Sequence, residues 1–190
     1  VDRIHSLDLT DKQATNNLIK SLKPDQIYHL ASFAYVGKSF DTPEELLSNN
    51  ITLQLNILRA VKEFATEARL LIVGSAEEYG ISLSDDEIPY DENHKFRPIN
   101  PYAVSKITQD MLGYAYYVSF GLDIVTVRPF NHIGERQSTD FALPAFTNQI
   151  IAIERGEQEK LMVGNLSAIR DFTDVKDVMN EYIIVMNKGD

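Results

Sequence analysis

The sequence predicts an α/β fold, a doubly wound parallel sheet, on three observations. Short apolar runs alternate with stretches of helical period. The run Leu70-Leu71-Ile72-Val73-Gly74 is apolar throughout, as a strand buried on both faces must be. Two of the runs lead into small or hydroxyl residues, Ala31-Ser32 and Gly74-Ser75, at the strand ends where such sheets bind ligands.

Taken in order, residues 4–7 read as a short strand, and Asp8-Leu9-Thr10-Asp11 as a turn and helix cap. A helix is expected over 11–22, stopped by Pro24-Asp25, and a strand over 26–30. Thr42-Pro43-Glu44-Glu45 supplies an N-cap, a proline at the first helical position and two carboxylates at the positive end of the helix dipole. It opens a helix to about residue 64. After the central strand 70–74 comes a polar excursion over 76–100, too long for a routine connection and therefore read as a functional loop; Asp85-Asp86-Glu87 within it reads as solvated. Asn100-Pro101 starts a helix that Gly121 closes, and 123–127 is a strand rich in β-branched residues. Beyond Pro129 the rhythm changes to a Gly/Arg/Gln/Ser loop, a helix over 141–155, short strands near 161–163 and 170–173, and a helix from about 175. The expected domains are 1–130, an incomplete dinucleotide-binding domain, and 131–190, part of a smaller C-terminal substrate lobe interwoven with the first.

Composition narrows the chemistry. The 190 residues are 44% hydrophobic, enough for one substantial core. A formal net charge of −10, with scattered basic residues, argues against a nucleic-acid partner. An anionic small molecule would need arginines to converge locally, and Arg97, Arg128, Arg136 and Arg170 are the candidates. The absence of cysteine excludes disulfides, thiol catalysis and cysteine-ligated metals. His5, His29, His94 and His132 lack metal-ligand spacing, so no metal is expected. No apolar run approaches the ~20 residues of a membrane span and no signal-peptide pattern is seen, so a cytoplasmic location without a membrane partner is the default expectation.

The segment Tyr102-Ala103-Val104-Ser105-Lys106 places a phenol and an ammonium four residues apart on one helix face. The lysine charge is expected to favour the tyrosinate and lower a tyrosine pKa that starts near ~10. Such a tyrosine exchanges a proton with an oxygen whose carbon undergoes hydride transfer. By itself this spacing is an ordinary helix face; the strand ending at Ser75 gives it a context. A dinucleotide fold opens on a strand, a glycine-rich turn and a helix, so that backbone amides reach the pyrophosphate. The nine glycines here are dispersed and no such turn is present. The sheet is therefore expected to be Rossmann-like but lacking its first βαβ unit, and the chain alone to bind no dinucleotide and be inactive.

Three further runs make the pattern specific: Gly74-Ser75-Ala76-Glu77-Glu78-Tyr79-Gly80, Arg97-Pro98-Ile99-Asn100-Pro101 before Tyr102, and Arg128-Pro129-Phe130-Asn131-His132-Ile133-Gly134. Together they resemble the extended short-chain dehydrogenase/reductases, the nucleotide-sugar-modifying enzymes. The run from Val163 through Arg170-Asp171-Phe172-Thr173-Asp174-Val175 narrows the resemblance to members acting on GDP-sugars. The resemblance implies reduction of the 4-keto group of a GDP-4-dehydro-6-deoxy sugar by NAD(P)H, giving GDP-D-rhamnose. The cofactor is NADP or NAD, and the partner a second copy in a homodimer joined by the helices at 43–64 and 101–120. The alternatives are a GDP-mannose 4,6-dehydratase, another nucleotide-sugar dehydratase or epimerase, or, in a different class, a catalytically silent fragment or interaction module.

Residue by residue, the resemblance makes Ser75 the hydroxyl that bonds the sugar C4 oxygen, Tyr102 the acid/base, and Lys106 the holder of the nicotinamide ribose. It puts Asp8 and Leu9 at the adenine, Leu30, Ala31 and Ser32 against the cofactor, and Asn50, Pro129 and His132 at further cofactor-lining positions. Asn131 and Arg170 match residues that hold the substrate diphosphate. Glu77 stands where the dehydratases keep a general base, but equally reads as a loop carboxylate facing water. Tyr79 reads as packing against the sugar pocket, and Arg170 has a rival reading as an ion pair with Asp171. One departure is local: Gly134-Glu135-Arg136-Gln137 stands where relatives carry Gly-Pro-Gly-Gln, which puts the shape of the pocket there in question.

Overall fold

In the computed structural model, which describes residues 4–34 and 36–189, the first helix begins where a capping side chain satisfies its free amides. Helix α1 (Lys12–Leu22) starts as Asp11 accepts from the Gln13 and Ala14 amides at 2.8 and 3.0 Å. Strand β1 (Gln26–His29) follows, then α2 (Pro43–Phe64), opening on its proline and on Glu44 and Glu45. Strand β2 (Arg69–Val73) leads to α3 (Pro101–Phe120) and β3 (Ile124–Val127). Asn100 caps α3 by accepting from the Ala103 amide at 2.8 Å.

Strands β1, β2 and β3 form one parallel sheet in that order, with Leu71 opposite Tyr28 on one side and Val125 on the other. The α/β class read from the sequence is the class observed. The middle strand is buried on both faces: Leu70, Leu71 and Ile72 are all inaccessible to solvent or nearly so. Ile57, Leu58 and Val61 of α2 pack with Leu70, Ile72 and Leu122, and Leu9, Ile27, Leu112, Tyr116 and Ile124 close around them. Each such side chain contributes about 1.5–3 kcal/mol when fully buried. The parallel register sets the ends of β1, β2 and β3 side by side, so the segments after His29, Val73 and Val127 share one edge.

The chain divides into two compact units: Val1–Pro129 with Tyr182–Asp190, and Phe130–Glu181. The second unit holds the parallel pair β4 (Asn131–Ile133) and β5 (Phe172–Asp174), helix α4 (Ala142–Glu154) and the first half of α5 (Val175–Lys188).

Two expected strands are absent. Residues 4–7 form no ladder among the described residues, and Ile4 is 89% exposed: a strand requires a neighbour to take its hydrogen bonds. Residues 161–163 stay irregular because Gln149 of α4 takes the backbone of Met162, its Oε1 accepting from the amide at 2.7 Å and its Nε2 donating to the carbonyl at 3.1 Å. The strand expected over 170–173 lies at Phe172–Asp174, paired with a strand at Asn131–Ile133 that the pattern did not reveal.

The departure at Glu135-Arg136 sits in a tight turn. The Gln137 amide returns to Gly134 O at 3.3 Å, and Arg136, third in the turn, has a φ of 69°. That is the position where a turn with positive φ asks for glycine, and a residue bearing a Cβ loses about 1–2 kcal/mol in left-handed backbone. Arg136→Gly should therefore raise stability by up to about 1 kcal/mol, the greater freedom of glycine in the unfolded chain cancelling part of the gain. Urea unfolding of the two forms measures it, and a lower midpoint for the glycine form would contradict this account of the turn.

Candidate active site at the strand ends

Helix α3 packs with its first two turns over the end of β2, and this brings four predicted residues together. Tyr102 and Lys106 are both buried, with the ammonium 5.9 Å from the phenol ring centroid. Ser75, half-buried just past β2, hydrogen-bonds the Tyr102 side chain and accepts from the Glu77 amide at 3.2 Å. It thereby caps a single 3-10 turn, Ala76–Glu78. Glu77 is half-buried, and its Oε2 accepts from Asn100 Nδ2 at 3.0 Å. Asn100 thus caps the helix with its oxygen and holds the Glu77 carboxylate with its nitrogen, two residues before Tyr102. This second role was not apparent from the sequence, although the position immediately before Pro101 marked the residue as a cap.

The expected tuning of Tyr102 by Lys106 is not what the structure shows. Burial is the largest influence and raises the phenol; the Ser75 hydrogen bond pulls it back, and the charges of Glu77, Glu78 and Tyr182 raise it further, to about 12. The Lys106 Nζ donates instead to Val73 O at 2.8 Å. Burial also draws the ammonium down to about 8, with Glu78 opposing. At neutral pH Tyr102 is a phenol that holds its proton, a donor rather than a base.

Under this group lies a network that sequence reasoning missed. Glu78, fully buried, accepts the Ser75 amide on Oε1 at 2.8 Å. Arg128 Nε lies 3.3 Å from Glu78 Oε2 and donates to Asp110 Oδ2 at 2.7 Å. The guanidinium sits 4.7 Å from the centroid of Phe96 and 5.6 Å from that of Tyr79. A Cβ on Gly74 would overlap the Glu78 carboxylate, so the small residue at the strand end leaves that carboxylate its place. Tyr79 packs in the loop's own aromatic cluster, with ring centroids 5.2 Å from Tyr90 and 6.5 Å from Phe96, and is buried there rather than lining an open pocket. Two arginines proposed as anion holders are thereby engaged elsewhere: Arg128 as described, and Arg97 in a fork on Glu87 at 2.6 and 2.9 Å. Glu87, expected to be solvated, is the loop's internal anchor.

The remaining predicted residues fall in three places. Asn50 is fully buried, accepts from Phe33 N at 2.8 Å and Ser32 Oγ at 3.3 Å, and donates to Ser105 Oγ at 2.9 Å, tying the segment after β1 to α3. Leu30 and Ala31 are exposed beyond β1, and Pro129 O accepts from Ala76 N at 3.0 Å beyond β3. Asp8, exposed, accepts from the Thr10 amide and hydroxyl, each at 2.8 Å, while Leu9 packs on the core. In the second unit Asn131 and His132 are exposed on β4. Arg170 is exposed there too, donates to Ile169 O at 2.8 Å, and among the described residues makes no ion pair with Asp171.

Among the described residues no cluster of His, Asp or Glu is arranged to hold a metal, and no helix is long and apolar enough to cross a membrane.

Comparison with known proteins matches the family model of GDP-mannose 4,6 dehydratase to residues 2–190. GDP-6-deoxy-D-mannose reductase of Pseudomonas aeruginosa is 33% identical over 187 residues, which is 98% of this chain and 61% of that protein. GDP-mannose 4,6-dehydratase of Yersinia enterocolitica is 32% identical over 176 residues, 92% of this chain and 46% of that protein. The solved structure of RMD from Pseudomonas aeruginosa complexed with NADPH matches with a TM-score of 0.93 at 32% identity, over 100% of this chain and 65% of that one. The chain thus spans about half to two thirds of the length of these relatives.

Proposed function

The chain belongs to the GDP-mannose 4,6-dehydratase family, and from that premise we propose that it carries the catalytic centre of an NADP- or NAD-dependent nucleotide-sugar reductase. Its substrate is a GDP-4-dehydro-6-deoxy sugar, reduced at the 4-keto group to give GDP-D-rhamnose. The observation that carries this reading is the buried Tyr102, held protonated beside the Ser75 hydroxyl. A ketone becoming an alcohol needs a proton at its oxygen, and this phenol is a group that has one to give. The resemblance in sequence and structure to a GDP-6-deoxy-D-mannose reductase supports it.

The residues at the strand ends fit a dinucleotide's ribose. Lys106 makes one hydrogen bond among the described residues, to Val73 O, and an ammonium has three protons; two remain for the ribose hydroxyls. When bound, NAD(P)H supplies the hydride. Ser75 Oγ donates to the sugar C4 oxygen and orients it. Tyr102 Oη releases its proton to that oxygen as negative charge develops there. The Lys106 ammonium, freed of Val73 O or sharing with it, steadies the phenolate left behind. Leu30, Ala31, Ser32, Asn50, Pro129 and His132 line the cofactor in this reading, with Asp8 and Leu9 at its adenine end. Asn131 and Arg170 hold the substrate diphosphate, for which the planar fork of Arg170 is suited.

A second reading, the 4,6-dehydratase, is favoured by one observation: Glu77 is ordered by Asn100 within two residues of Ser75, where a base for proton abstraction beside a keto carbon would stand. Substrate choice separates the two, since the full-length protein given GDP-mannose and, separately, its 4-keto-6-deoxy product should consume only the latter. Tyr102→Phe should lower turnover roughly 10²-fold or more with KM within a few-fold, because the lost donor acts in the transition state. Glu77→Gln should be mild; a loss of about 10³-fold would transfer the assignment to the dehydratase. Wild-type turnover in Tyr102→Phe would remove the proton-donor role altogether.

We also propose that the protein is a homodimer joined through α2 and α3. Val104, Met111, Tyr114 and Val118 form an exposed apolar stripe along α3 at helical spacing. Light scattering of the full-length protein should give twice the monomer mass, and Tyr114→Lys with Val118→Lys should halve it; a wild-type monomer would contradict the proposal.

A further inference from the structure

We propose that Glu78 is a positioning residue of this site: it shares a proton with Asp110 beneath Arg128, so that it fixes Ser75 at the end of β2 while placing no charge under Tyr102. The inference rests on the reductase reading for its kinetic consequence, and for the shared proton on two carboxyl groups lying against one guanidinium with Glu78 Oε2 buried and without a donor.

The donors and acceptors lead to it. Arg128 gives Nε and Nη2 to Asp110 Oδ2, each at 2.7 Å, and Nη1 to Glu92 O at 3.1 Å and Tyr79 Oη at 3.4 Å. All three of its nitrogens are thereby engaged. Glu78 Oε1 takes the Ser75 amide, while Oε2 is buried, accepts no hydrogen bond among the described residues and meets the Asp110 side chain. Two buried carboxyl groups thus face one guanidinium. An ionised Glu78 would be a second interior anion sharing the one guanidinium, with the Lys106 ammonium turned to Val73 O. Protonated, its Oε2–H donates to Asp110, every polar atom of the pair is satisfied, and the trio is neutral.

The surroundings act in the same direction. Burial first, then Asp110, push the Glu78 carboxyl up to about 8, against the opposing Ser75 amide and Arg128. The charged and titratable groups facing it are Tyr102, Lys106 and Asp110 from α3, Arg128 from the segment after β3, and Glu77 and Tyr79 on its own loop. A negative Glu78 raises Tyr102 further and so weakens it as a proton donor. Ionisation of Glu78 on the alkaline side should therefore lower turnover.

Glu78→Leu removes both hydrogen bonds. Glu78→Gln keeps an oxygen for Ser75 and an N–H for Asp110 but cannot ionise. In the full-length protein, kcat and KM for the 4-keto GDP-sugar are measured across neutral to alkaline pH. Glu78→Leu should lose about 10-fold or more in kcat with KM within about threefold. Glu78→Gln should recover most of that loss and show a shallower alkaline fall than the wild type, keeping only the part due to Lys106, itself drawn down to about 8. Indifference of kcat to Glu78→Leu, or an alkaline limb in Glu78→Gln as steep as that of the wild type, overturns the proposal.

A second measurement needs no turnover. A carboxyl raised on folding contributes stability below its unfolded value of 4.5, and that contribution is lost as pH rises to about 8. The unfolding free energy of the wild type relative to Glu78→Gln should fall across that window. A flat difference overturns the shared proton even if the protein proves not to be a reductase, whereas an inactive wild type with the expected pH dependence removes only the reductase reading.

Discussion

The link from Val73 to Glu78, tied to the start of α3 by two bonds and braced by a third within itself, is the constraint on which the rest of the site depends. Lys106 donates to Val73 O, Glu78 accepts the Ser75 amide, and Asn100 at the start of α3 holds Glu77. Hydrogen bonds that involve charged groups contribute about 1.5–3 kcal/mol each, but here their geometric effect matters more. They set the register between a strand end and a helix start, and that register decides where the Ser75 hydroxyl and the Tyr102 phenol meet. The apolar seam of Ile57, Leu58, Val61, Leu70 and Ile72 supplies the firm base on which such a register can be kept.

From that constraint follows a division of electrostatic labour. The same burial raises Tyr102 and lowers Lys106, because low-dielectric surroundings disfavour whichever form carries charge. The phenol keeps its proton and the ammonium gives up part of its hold on its own. The Glu77 carboxylate adds to the effect of burial and favours a protonated Tyr102.

Much of the fold was legible in the sequence because helix ends and buried strands are local properties. Asp11, Asn100-Pro101 and Gly121 marked caps that the structure uses, and the apolar run at 70–74 is the buried middle strand. The two lost strands, at 4–7 and 161–163, show the limit. A strand is a relation between two segments, and Met162 found its partner in a helix side chain, Gln149, instead. The site divides in the same way. Ser75, Tyr102 and Lys106 were legible as spacing and residue type, whereas the acidities of Tyr102 and Lys106 were not, since burial sets them first and the glutamates act through space. Arg97 and Arg128 looked like free cations in sequence; Glu87, 10 residues away, and Asp110, 18 away, claim them.

The proposed reaction adds hydride and proton across a sugar C4 carbonyl. Isotope transfer tests it most directly. The full-length protein would be incubated with GDP-4-dehydro-6-deoxy-mannose and nicotinamide cofactor deuterated at the transferring position, and the product examined by mass and by NMR. One deuterium bound at C4 of the product sugar, with solvent exchange absent from the neighbouring carbon, is the predicted result. No deuterium at C4, or exchange of the proton beside it, would contradict the account.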